Sequence, residues 1–114
     1  MPLRDLLARV HGRYSRPVFV AETSIEGDRR ALWLRYVADE VMGAIRAGTP
    51  VEGICLYPVL SHPGWDNDRY CPNGLLEMDS RHGRRPVHAP LAQELRRQQA
   101  VFAGLFAEGA EAAA

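Results

Sequence analysis

The chain lacks a net charge and lacks lysine. All 14 of its basic residues are arginine, and 14 acidic residues bring the formal net charge to zero. Without a net charge, no long-range field favours binding to nucleic acid or to an anionic membrane surface. The complete preference for arginine most simply reflects genome composition, not a binding patch.

Long apolar runs and disulfide-forming cysteines are also scarce. No stretch approaches the ~18 consecutive apolar residues of a membrane-spanning helix, and residues 1–16 lack the apolar centre of a secretory signal. We therefore expect a cytoplasmic protein. Of the two cysteines, Cys55 lies in an apolar strand and is expected to be buried, and Cys71 lies in a loop. A disulfide between them is possible but unsupported, because export is not indicated.

Three segments have the apolar spacing of amphipathic helices. They run from Leu3 to Tyr14, from about Arg29 to Arg46 and from Pro90 to about Phe106. Asp28 is a candidate N-cap for the second helix, and Gly48 is placed to end it. Residues 109–114 are small residues at the end of the chain and are expected to fray.

Two apolar runs predict strands that flank the second helix. The first, Pro17 to Thr23, has consecutive apolar residues, which is typical of a strand covered on both faces. The second runs from Gly53 to Pro58. Strand, helix and strand at this spacing predict a βαβ unit with parallel strands, so the fold class is α/β.

Functional side chains in parallel α/β folds collect at the carboxyl ends of strands. Glu22 stands at that end of the first strand, and the second strand opens into an aromatic and polar loop from Ser61 to Tyr70. We therefore expect Glu22 and this loop to share one face of the molecule.

Several segments resemble the last strands of retaining (β/α)8-barrel glycoside hydrolases, particularly the β-glucosidase-like group. Arg16 to Ser24 resembles strand seven, and Gly53 to Tyr57 resembles strand eight. Asn73-Gly74-Leu75, Asp79, Gly83 and Arg84-Arg85 resemble the closing segment of the family. The resemblance spans about Leu6 to Gln99. It implies that residues 1–108 form a partial barrel, the carboxyl-terminal quarter, with two parallel strands and flanking helices.

The resemblance also implies a catalytic role for Glu22. In that family the glutamate at this place is the nucleophile; the alternative is a surface glutamate at a strand end. Retaining hydrolysis needs a second carboxyl group roughly 5 Å away as acid/base. In the family this residue follows an asparagine, and the sequence contains no Asn-Glu pair. Glu26 is the nearest local substitute, but nothing fixes it opposite a sugar.

Three further side chains are candidates for sugar binding. Tyr57 and Trp65 offer aromatic faces that suit the C–H surface of a sugar ring. His62 could bond a sugar hydroxyl. The alternatives are a tryptophan that plugs a small cluster and an ordinary loop histidine.

A metal site is not indicated. Asp66, Asp68 and Glu77 match three positions of an EF-hand loop, but Cys71 stands where the tight turn requires glycine. We read the two aspartates as turn formers, one of which could pair with Arg69. No metal and no cofactor are predicted.

Two strands do not close a barrel, which needs eight and typically ~250 residues. The sequence therefore predicts half of a glycosidase site, inactive alone, that would bind a carbohydrate substrate if the missing strands were supplied. The alternative is a non-enzymatic assembly protein that uses its exposed strand edges. In either case we expect self-association or a chain that supplies the remaining strands. The side chains expected to lack cover are Val18, Val20, Ile54 and Leu56.

Overall fold

The computed structural model describes the backbone of residues 1–113 and the side chains of residues 1–109. Its helices are α1 (Leu3–Tyr14), α2 (Arg30–Arg46) and α3 (Ala89–Ala113), and its strands are β1 (Val18–Thr23), β2 (Val51–Leu56), β3 (His62–Pro63) and β4 (Tyr70–Cys71). The predicted α1 agrees at both ends. The helix α3 is longer than predicted, and the fraying expected for residues 109–114 stays a prediction because Ala114 and the last side chains lie outside the described residues.

The strands β1 and β2 are parallel neighbours, as the sequence predicted. Val18 is paired with Val51 and Thr23 with Leu56, with two irregularities of register between these pairs. Beyond β2 the pairing continues for one residue, because the Tyr57 amide donates to the Thr23 carbonyl at 3.2 Å. The two carboxyl ends therefore lie side by side. The strands β3 and β4 form a separate, short antiparallel pair.

One face of the β1–β2 sheet is covered by the helices. The helix α2 buries Val37 and Val41, each 1% exposed, in a core that also contains Leu7 of α1 and Val51 of β2. Among the side chains packed against this core are Val18, Val20 and Ile54. These three residues were predicted to lack cover from neighbouring strands, and the helix layer partly buries them instead.

The opposite face of the same sheet is the uncovered one. Phe19 is 57% exposed, and Ala21, Glu52 and Cys55 are also exposed. The expectation that β1 is covered on both faces, drawn from its consecutive apolar residues, is therefore wrong for this chain. In a closed (β/α)8 barrel that face would point inward and would be covered by the other strands.

Two details of the sequence prediction are corrected. Cys55 was expected to be buried but is exposed, whereas the loop residue Cys71 is buried, and both are free thiols. Asp28 lies in a short 3₁₀ helix before α2 and makes no side-chain cap bond. Glu40 of α2 is buried and accepts two side-chain hydrogen bonds from Arg4, which ties α1 to α2.

The chain is less compact than a closed domain of its length. Its radius of gyration is 16.4 Å, against about 13 Å for a compact domain of this size. The helix layer is wider than the sheet, because α1 and α3 pack on either side of α2 while only two strands lie beneath. No helix in the described part of the chain is long and apolar enough to cross a membrane.

Candidate functional site

The carboxyl ends of β1 and β2 border an open cavity of about 400 Å³. Glu22 and Thr23 line it from the end of β1, and Tyr57 and Pro58 line it from the segment after β2. Asn73 closes a third side. The structure thus brings together Glu22 and Tyr57, two of the four site residues predicted from the sequence.

The end of β1 is held by hydrogen bonds from three directions. Trp33 of α2 donates its indole N–H to Thr23 Oγ1 at 2.8 Å. The Ser24 hydroxyl donates to the Asn73 carbonyl at 2.8 Å. Together with the Tyr57 amide bond, these contacts tie the two residues that follow Glu22 to a helix, a strand and a loop.

Asn73 is positioned by a close backbone approach at the next residue. A Cβ atom at Gly74 would lie 2.2 Å from the Ser61 backbone nitrogen. The Gly74 amide also donates to Ser61 Oγ at 2.9 Å, and Ser61 is fully buried. Only glycine permits this approach, which holds the Asn73 wall of the cavity against the segment that follows β2.

The two glutamates at the cavity differ in their electrostatic environment. The Glu22 side chain is exposed and accepts no hydrogen bond from any described residue. Glu26 is held by Arg69 through two hydrogen bonds of 2.9 and 3.0 Å. The hydrogen bonds from Arg69 lower the pKa of Glu26 despite partial burial. Since Arg69 pairs with Glu26, the predicted pairing of Arg69 with Asp66 or Asp68 was wrong.

Trp65 and His62 lie outside this cavity. Trp65 is 86% exposed in the loop between β3 and β4. His62 begins β3, and its Nδ1 lies 2.6 Å from the Pro63 carbonyl oxygen. Neither residue lines the space between Glu22 and Tyr57, so a role in sugar binding stays a prediction for both.

A buried charged network supports the wall behind the cavity, and the sequence did not reveal it. Arg30, which is 4% exposed, lies at the start of α2. Its guanidinium lies 2.6 Å from Glu77 Oε1, donates to the Gly74 carbonyl at 2.7 Å and lies 3.0 Å from His88 Nδ1. An arginine at the start of a helix normally predicts a solvent-exposed charge, so the sequence did not indicate that Arg30 is buried.

Glu77 receives hydrogen bonds on both carboxylate oxygens. The Tyr70 hydroxyl donates to Oε2, on the side away from Arg30. Burial raises the pKa of Glu77, but the hydrogen bonds from Tyr70 and Arg30 outweigh it, so the pKa lies below its usual value. The network is therefore a charged pair at neutral pH, and it joins α2 to the segment that carries Asn73.

Metal binding has no support in the described part of the chain. Within residues 1–109, no three or more histidine, cysteine, aspartate or glutamate side chains are grouped as a metal ion would require. The EF-hand spacing of Asp66, Asp68 and Glu77 does not bring these side chains together, because Glu77 is engaged by Arg30 and Tyr70.

Comparisons with known proteins find similarity in structure. No family model matches the sequence, and no curated protein matches it. Among solved structures, the β-glycosidase of the hyperthermophile Thermosphaera aggregans has a TM-score of 0.71 and 22% identity, over 85% of this chain and 21% of that one. The family 1 β-glucosidase of Thermotoga maritima gives 0.70 and 18%, over 80% and 24%. The β-glucosidase 1317 gives 0.73 and 20%, over 86% and 25%.

This chain therefore spans about a fifth to a quarter of the length of the β-glucosidases that it resembles. At this low sequence identity, the feature that the chains share is the fold. The resemblance predicted from the sequence is confirmed at that level, while its assignment to strands seven and eight stays a prediction. The protein has the fold of a two-stranded portion of a β-glucosidase-like (β/α)8 barrel.

Proposed function

We propose that the cavity between β1 and β2 is the nucleophile half of a retaining glycosidase-type site. The observation that carries the proposal is that Glu22 and Tyr57 share one cavity at the carboxyl ends of two parallel strands. This is the edge at which (β/α)8 enzymes place their chemistry. The Thermotoga maritima β-glucosidase, one of the structural neighbours, is known in complex with castanospermine and with glucoimidazole.

Glu22 suits a nucleophile better than Glu26 does. Its exposed carboxylate is free to approach a bound sugar, whereas the Glu26 carboxylate is occupied by Arg69. A general acid needs a raised pKa so that it holds a proton near neutral pH. The pKa of Glu26 is shifted in the opposite direction. The chain therefore supplies one carboxylate of the pair, and we expect it to bind a saccharide without hydrolysing it.

The test is a titration of the ¹⁵N-labelled chain with an aryl β-glucoside, followed by NMR. We expect chemical-shift changes at Glu22, Ser24, Tyr57 and Asn73, with no change at the distant residues Leu95 and Phe102. A titration that leaves the first group unchanged, or that shifts both groups equally, would overturn the proposed site.

A second candidate function is assembly without catalysis. The observation that favours it is the uncovered sheet face with Phe19 and Cys55, together with the free outer edges of β1 and β2. Unpaired edges and apolar faces favour association with another chain. In this case the partner would be a second copy of the chain or a chain that supplies the remaining strands.

A further inference from the structure

Residues 100–107 of α3 are apolar on all sides of the helix. Residues 98–107 contain no charged side chain, and from Ala100 to Ala107 every residue is apolar or glycine. A helix that is apolar all round is normally buried. In this chain it is not, because Val101 is 44% exposed and Phe106 is 53% exposed.

The same helix borders an apolar groove. The groove has a volume of about 180 Å³ and lies between β2, α2 and α3. Its lining includes Ile54, Leu56, Leu95, Phe102 and Phe106. The exposed apolar side chains of α3 and the apolar groove therefore lie on the same helix, and the groove of one copy is a candidate binding place for the exposed side chains of another.

The chain as a whole exposes more surface than a compact monomer of its mass. The chain exposes 7840 Å², about 1,600 Å² more than the ~6,200 Å² expected for a compact monomer of this mass. A standard protein–protein interface buries about 800 Å² on each partner. An interface that covers about half of this excess surface would therefore reach the standard size.

We propose that this surface is the interface of a two-fold dimer, in which residues 100–107 of α3 of each copy pack over the groove of the other. A two-fold contact requires a patch that is complementary to itself, and this patch combines exposed apolar side chains of α3 with the groove that α3 forms with β2 and α2. Residues 100–107 and the lining of the groove contain no charged side chain, and the net charge of zero removes long-range repulsion between copies. The inference rests on the second candidate function and does not depend on Glu22.

The test is sedimentation equilibrium of the purified chain over a range of concentrations. We expect a dimer for the wild type. Phe106→Arg and Val101→Arg should raise the dimer dissociation constant at least about tenfold, since each places a charge on the apolar segment of α3 that packs over the groove of the other copy. Leu32→Arg is the matched control, because Leu32 is 62% exposed on α2 and lies away from the groove. This control should remain dimeric.

Circular dichroism shows whether each variant keeps its helices. If Phe106→Arg unfolds, the dissociation constant of the Val101→Arg variant tests the interface. A wild type that is monomeric at all concentrations would overturn both the interface and self-assembly. A dimer that resists both α3 substitutions would overturn only the interface and leave self-assembly in place. A dimer broken by Leu32→Arg instead would move the interface to α2.

Discussion

The guanidinium of Arg30 lies 2.6 Å from the carboxylate of Glu77, across 47 residues of sequence, and only 3% of the Arg30 side chain is exposed. This pair fastens the first turn of α2 to the segment that carries the Asn73 wall of the cavity. Removing one partner of a buried ion pair leaves the other charge without compensation, and this commonly costs several kcal/mol.

We expect Arg30→Met to lower the free energy of unfolding by about 3 kcal/mol. Urea unfolding followed by circular dichroism measures this. The control is Arg29→Met, the exposed neighbour, which should change stability by less than about 0.5 kcal/mol. Equal effects of the two substitutions would show that the buried pair contributes nothing beyond a surface arginine.

Gly74→Ala should destabilise the protein by about 1–3 kcal/mol, because the new Cβ would overlap the Ser61 backbone and force the two segments apart. The matched control is Gly53→Ala, at a strand position where an added Cβ meets nothing within 4 Å. Thermal unfolding of both variants is the measurement. A Gly74→Ala variant as stable as the Gly53→Ala control would mean that the close approach is readily relaxed.

The contribution of Glu94 to stability should depend on pH. Hydrogen bonds from Arg35 lower the pKa of Glu94 from 4.5 to about 2. Burial acts in the opposite direction and raises this pKa, and a hydrogen bond from Gln98 lowers it further. A depressed carboxyl pKa stabilises the folded state above the unfolded-state pKa, and this stabilisation is lost as the pH falls toward the folded-state value. Because Arg35 is half-exposed, water screens the pair, and we expect about 1 kcal/mol.

Glu94→Gln should therefore be less stable than the wild type at about pH 7, and the difference should shrink between about pH 5 and about pH 2. Urea unfolding at several pH values measures the two curves. A difference that stays constant over this range would contradict the assigned cause.

Tyr57 and Trp65 should differ in their importance for saccharide binding. Tyr57 lines the cavity and Trp65 does not. In the NMR titration, Tyr57→Ala should weaken binding several-fold through the loss of an aromatic contact, and Trp65→Ala should leave the shifts at Glu22 unchanged. If Trp65→Ala abolishes those shifts as well, the loop must move over the cavity when the sugar binds.

Hydrolysis of aryl glycosides by the isolated chain should not exceed the rate in buffer. In the proposed half-site the general acid is missing, which alone removes a factor of about 10² to 10⁴, and two strands supply only part of the substrate pocket of an eight-stranded barrel. The assay compares the wild type with Glu22→Gln, and we expect the same rate for both. Rapid turnover that Glu22→Gln abolishes would show that the chain holds a complete site.

The sequence predicted the elements of this fold well, because their signals are local. The apolar spacing from Leu3 to Tyr14 gave α1 at both ends, and strand, helix and strand gave the parallel pairing of β1 and β2. It did not predict which face of the sheet is covered. Consecutive apolar residues fit cover on both faces, and only the number of strands present decides that Phe19 is left exposed.

The candidate site was predicted only in part, because only some of its residues are placed by local sequence signals. Strand ends have a fixed direction, so Glu22 and Tyr57 could be expected to meet. The direction of Trp65 depends on a loop rich in proline and glycine, for which no periodic pattern exists. The burial of Arg30 and Glu40 depends on partners more than 30 residues away, which a helical pattern does not reveal.

The reactivity of the exposed Cys55 thiol reports which surface of the chain is covered on assembly. It lies on the uncovered face of the sheet and does not line the groove beneath α3. A dimer formed through that groove would leave Cys55 open to a thiol reagent, whereas strands that close a barrel would shield it. Cys71, buried in the same chain, should react slowly in either case. The labelling rate of one native side chain therefore separates the two modes of assembly without any substitution.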